Sequence, residues 1–75
     1  MQESPMERIA VRSRDIAIVG YEPASQLLEI AFRNGGVYQY ANVPPEIHKG
    51  LMDAASHGVY FNKHIKDQYP STKTA

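Results

Sequence analysis

The sequence contains no cysteine. That excludes a disulfide staple, a thiolate zinc site and a cysteine nucleophile. It has no excess of charge either, because eight basic and eight acidic side chains cancel. A strongly basic domain would point to nucleic acid by charge alone, and this chain gives no such signal. No apolar run approaches the ~18 residues needed to cross a bilayer. The opening residues Met1-Gln2-Glu3-Ser4-Pro5 are polar and carry no signal-peptide pattern. The expectation is a cytoplasmic protein with no membrane role. At 75 residues the chain makes one domain. A domain this small buries only ~60% of the surface its unfolded chain exposes, so its stability is modest.

Several kinds of chemistry also lack their residues. Gly35-Gly36 joins two strands rather than a strand and a helix, so it is not a phosphate loop. Ser56 and His57 are adjacent, and adjacency does not aim an imidazole at a hydroxyl proton. Ser56 is better explained by a helix break, where its hydroxyl satisfies a backbone group. His48, His57 and His64 have no carboxylate at the spacing of helical metal motifs. The expectation is a non-catalytic protein with no cofactor and no metal.

What is present is a pattern of short elements. Asp15 to Tyr21 reads as a strand rich in β-branched residues. Glu22-Pro23-Ala24-Ser25 is a turn. Gln26 to Arg33 is a second strand, with Leu28, Ile30 and Phe32 on one face. Asn34-Gly35-Gly36 supplies the positive φ that a hairpin needs, and Val37 to Ala41 follows as a third strand. Pro44-Pro45 then opens a helix, with Glu46 in its first turn complementing the dipole. Ile47, Leu51, Met52 and Ala55 recur at helical spacing. Gly50 on this helix allows a close approach. Gly58 is expected to break the helix as a left-handed cap, with a second helix from Tyr60 to Lys66. The fold expected is α+β: a three-stranded antiparallel meander followed by two short helices packed on one face. Residues 1–14 are expected to be loosely ordered, with Ile9-Ala10-Val11 as a potential edge strand. The domain spans 15–70, and 71–75 is a flexible tail.

Tyr38 and Tyr40 share one face of the third strand. Register decides which. A two-residue loop, Asn34-Gly35, pairs Phe32 with Val37 and turns both rings away from Leu28, Ile30 and Phe32. A three-residue loop, Asn34-Gly35-Gly36, pairs Phe32 with Tyr38 and Ile30 with Tyr40, and the rings join the apolar face. The second glycine and the small core favour the buried arrangement. On an open face the rings would instead stack unpaired bases, as in sheet-based RNA readers. Phosphates would then fall to Arg33, Lys63, His64 and Lys66, since from His57 onward Lys63, Lys66 and Lys73 face only Asp67 and make the C-terminal third the candidate basic face.

The order Gly20-Tyr21, Leu28, Phe32, Gly35, Tyr38, Tyr40, Val43-Pro44, Leu51, Ser56, Gly58, Phe61-Asn62, Ile65, Tyr69-Pro70 resembles the KTSC domain. The likeness runs from about Ile16 to Pro70. Ala41 stands where the family often has a further aromatic ring. The family takes its name from the C-terminus of lysyl-tRNA synthetase and also occurs as free-standing small bacterial proteins. The family's function is not established; its place in the synthetase implies an RNA or tRNA partner, and the resemblance carries no catalytic residue over. A protein-interaction module without a nucleic-acid role is the alternative.

Overall fold

The computed structural model describes residues 6–75. Its elements run β1 (Glu7–Ala10), β2 (Ile16–Glu22), β3 (Leu27–Phe32), β4 (Val37–Tyr40), α1 (Pro45–Asp53), α2 (His57–His64) and β5 (Ser71–Lys73). The strands form one antiparallel sheet of five in the order β1-β2-β3-β4-β5. The fold is thus α+β, but three strands understate it. β1 lies within the stretch expected to be loosely ordered, where Ile9 pairs with Val19. β5 lies in the expected tail and pairs Tyr38 with Lys73 and Tyr40 with Ser71. Ser71-Thr72-Lys73 carries no apolar alternation, so backbone pairing with β4 makes it a strand.

The register of β2 explains its mixed pattern. Val19 and Tyr21 alternate onto the core face, yet Ile16 is buried with them. A bulge between Ile16 and Ile18 changes the pairing against β3, and it restores Ile16 to that face. Gly20 faces the opposite side, where an added Cβ would meet the Met6 and Arg8 side chains. Arg8 therefore lies across Gly20 and reaches Glu29 on β3, with Nε donating to Oε1 at 2.7 Å. Gln39 on β4 donates to the same carboxylate at 3.1 Å. The Arg8 hydrogen bond holds the Glu29 carboxyl below its usual range, against the opposing effect of burial.

Both helices cover the other face. Pro45 is the first residue of α1. Leu51 from α1, Phe61 from α2 and Ile65 at the C-terminal cap of α2 pack on Leu28, Ile30 and Tyr40. Gly50 is where Tyr60 crosses α1, and a Cβ there would collide with the Tyr60 hydroxyl. The break between the helices differs from expectation. α1 ends at Asp53, and Ala54 is extended. Ser56 caps α2, its Oγ accepting from the Val59 N–H at 3.3 Å. Gly58 lies in the first turn of α2 rather than ending a helix, and its φ is not positive. The left-handed residue after α2 is Asp67, at φ 65°. Among the described residues no helix is long and apolar enough to cross a membrane.

Candidate nucleic-acid interface

The β3–β4 hairpin sets the tyrosines. Ile30 pairs with Tyr38 and Leu28 with Tyr40, so both rings join the apolar face. The loop has three residues, but they are Arg33, Asn34 and Gly35. The Phe32 N–H donates to the Gly36 carbonyl at 2.8 Å, and the Gly35 N–H to the Phe32 carbonyl at 2.9 Å. Gly35 holds the left-handed position, φ 103°, and not Gly36. The loop begins one residue earlier than expected, and the pairing moves by two. An even shift keeps every side chain on its face.

Tyr40 is 6% exposed, so it belongs to the core. Burial, then the nearby Tyr38 and Asp67, push its phenol pKa up. Its ring meets Phe61 edge to face at 5.5 Å, and Phe61 meets Phe32 in the same way at 5.5 Å. Tyr38 is half-buried, edge to face with Phe32 at 5.8 Å. These four rings floor a groove of about 800 Å³ between the hairpin and α2. Arg14, Arg33 and Lys66 bring positive charge to its wall, and Asp15 and Asp67 bring negative charge.

Four of the six sequence candidates therefore meet here: Tyr38, Tyr40, Arg33 and Lys66. Lys63 and His64 do not line the groove. Both are exposed on α2, and the His64 ring lies 4.4 Å from that of Tyr60. Arg33 has a structural task as well. Its Nε donates to the Ser13 carbonyl at 2.7 Å and its Nη2 to the Val11 carbonyl at 3.1 Å, pinning the β1–β2 loop.

Sequence reasoning missed Arg14, Asp15 and Asn62, which the folded loop and helix bring to the groove. Arg14 sat in a stretch without hydrophobic period, and nothing local tied it to the hairpin. The histidines do not gather. One helix runs through His57 and His64, but seven residues at ~1.5 Å rise separate them by roughly 10 Å. His57 Nδ1 donates to the Leu51 carbonyl at 2.8 Å and closes the end of α1. Among the described residues no group of three metal-ligating side chains occurs.

The opposite end of the same sheet face is closed. The Tyr21 hydroxyl donates to the Val43 carbonyl at 2.5 Å. Its ring stacks on His48 at 4.5 Å and 10°. Burial lowers the His48 pKa, with Glu7 opposing.

Known proteins share this fold. The chain is similar to a KTSC domain protein from Yersinia pestis whose crystal structure is solved. The two agree at a TM-score of 0.92 and 39% identity, over 95% of this chain and 100% of the other. An uncharacterized protein of Stutzerimonas stutzeri is 41% identical over 64 residues, which is 85% of this chain and 90% of that one. A lysine–tRNA ligase of Nostoc punctiforme is 45% identical over 49 residues, 65% of this chain but 9% of the ligase. The family model named KTSC domain matches residues 12–69, and the chain belongs to that family.

Proposed function

We propose that this protein is a non-catalytic RNA-binding module that holds an unpaired segment of RNA in the groove beside the β3–β4 hairpin. One observation carries the reading: Tyr38, Phe32 and Phe61 floor a groove of about 800 Å³ whose wall includes Arg14, Arg33 and Lys66. Aromatic rings bind unpaired bases by stacking, and flanking cations bind their phosphates. A groove of that size is within the range of small-ligand sites. The lysine–tRNA ligase that shares the domain's sequence acts on an RNA, which supports tRNA as one partner class. The balanced net charge leaves attraction to the three cations of the wall, which outnumber its two carboxylates by one, rather than to the whole molecule.

Titration of the ¹⁵N-labelled protein with tRNA and with short RNA oligonucleotides tests this. Amides of Phe32–Tyr40 and Gly58–Lys66 are expected to shift, with affinity falling steeply as salt rises. No shift even at low salt would sink the RNA reading. A pull-down that instead recovers one protein, resistant to nuclease, would replace it with a protein-interaction module.

A further inference from the structure

Beside the aromatic groove lies a second hollow of about 430 Å³. Arg12 and Arg14, Ser56 and His57 line it. Arg14, Asp15, Gly58 and Asn62 line both hollows, so the two adjoin. Both arginines are exposed. Among the described residues neither is in an ion pair, whereas Arg8 is held by Glu29 and Lys49 by Asp53.

The loop that carries them is fixed. Arg33 grips its Val11 and Ser13 carbonyls, and Ser13 Oγ accepts from the Ile16 N–H at 3.3 Å. Two guanidinium groups on a held loop suit a phosphate, which they can bind in a forked geometry.

We infer that the two hollows form one track for single-stranded RNA, with a base in the aromatic groove and the adjoining phosphate between Arg12 and Arg14. This rests on the RNA-binding reading and moves the phosphate contacts from Lys63 and His64 to the β1–β2 loop. Asp15 at the junction is an acceptor-only carboxylate. It repels phosphate from the boundary and accepts a hydrogen bond from the ribose 2′-hydroxyl, the group that separates RNA from DNA.

The test uses the full chain and an RNA hexamer of adenylates, with affinity read across a salt series. For single strands, the slope of log affinity against log salt is about −0.7 per phosphate contact. The Arg12→Gln/Arg14→Gln protein is expected to lose about 0.7 from that slope, as the one phosphate held between the two arginines is no longer neutralised. A Lys49→Gln/Lys63→Gln protein removes the same charge away from both hollows, and its slope is expected to match the wild type. Denaturation midpoints of both variants show that each is folded. If the arginine variant keeps the wild-type slope, or the lysine variant becomes equally shallow, the phosphate track is wrong while RNA binding stands. If the wild type binds no hexamer at about 20 mM salt, where phosphate contacts are strongest, both fail. The wild type is also expected to prefer the RNA hexamer over its DNA counterpart, and Asp15→Ala, which removes the acceptor, to erase that preference. Equal affinity of the wild type for RNA and DNA would overturn the assignment of Asp15.

Discussion

The two ends of the buried sheet face treat their aromatic rings differently. At the α1 end, Tyr21 lies flat on His48, and its hydroxyl is taken by the Val43 carbonyl. At the hairpin end, Phe32, Tyr38, Tyr40 and Phe61 meet edge to face around a groove. A stacked pair covers one face of each ring. An edge-to-face pair uses the edge of one ring and one face of the other. The closed end is finished by its own residues, and at the open end the half-buried Tyr38 and Phe32 keep aromatic surface to offer a ligand, while Tyr40 and Phe61 are core.

The largest test of this contrast separates two neighbours on β4. Tyr40 is core, so Tyr40→Ala is expected to cost ~3–5 kcal/mol, read from denaturant midpoints. That is much of the roughly 4–11 kcal/mol expected for a domain of this size. Tyr38→Ala is expected to cost clearly less, because the ring is half-buried, and to abolish the base contact. If both substitutions cost the same, Tyr38 is a core ring and the groove has no aromatic platform.

Next in size is Tyr21→Phe. It keeps the ring on His48 but leaves the buried Val43 carbonyl without its donor. A loss of ~1–3 kcal/mol is expected. RNA affinity is expected to be unchanged, because this end lies outside the groove. A drop in affinity at constant fold would mean that the closed end takes part in binding.

The sequence carried the face of the tyrosines but not their partners. Alternation and a three-residue loop place Tyr38 and Tyr40 beside Ile30 whether the left-handed glycine is Gly35 or Gly36, because the two registers differ by an even step. The outer strands were less legible. β5 is Ser-Thr-Lys and exposed throughout, so only the long-range pairing with β4 defines it. The site was half legible for the same reason. Tyr38 and Arg33 belong to one hairpin and are read together. Arg14 and Asn62 come from a loop and a helix that meet the hairpin only after folding.

Acid and alkali probe the same contrast with smaller effects. Burial lowers the His48 pKa in the folded protein, so the unfolded chain takes up that proton first. Its contribution is complete above about 6.5, the ordinary value, and fades as pH falls through the lower folded value. Glu29, lowered by its Arg8 hydrogen bond, adds a second loss as pH falls below 4.5. Tyr21 and Tyr40 are raised, chiefly by burial, so their contribution is present below 10.0 and lost as pH climbs past it. Denaturation midpoints are expected to be highest between these limits. His48→Phe is expected to flatten the limb that begins near 6.5 and spare the lower one. An unchanged upper limb would mean that His48 does not titrate differently in the two states.

Two glycines supply the smallest and most discriminating comparison. Gly50 is filled from outside: a Cβ there collides with the Tyr60 ring, so even alanine displaces that side chain. Gly58 is empty. A Cβ there meets only Asp15 Oδ2 at 3.6 Å and Ser13 Oγ at 4.0 Å, both ordinary contacts. Its φ is not positive, so alanine fits the backbone. Gly58→Ala in the first turn of α2 is therefore expected to leave stability unchanged or to raise it, by no more than ~0.5–1 kcal/mol. Yet Gly58 lines both hollows, and a methyl group there narrows the junction between base and phosphate. RNA affinity is expected to fall in a protein that is at least as stable as the wild type. A fold defect cannot produce that combination, so weaker binding would assign the junction to the ligand. Unchanged binding would show that RNA, if it occupies the aromatic groove, leaves it without passing Gly58.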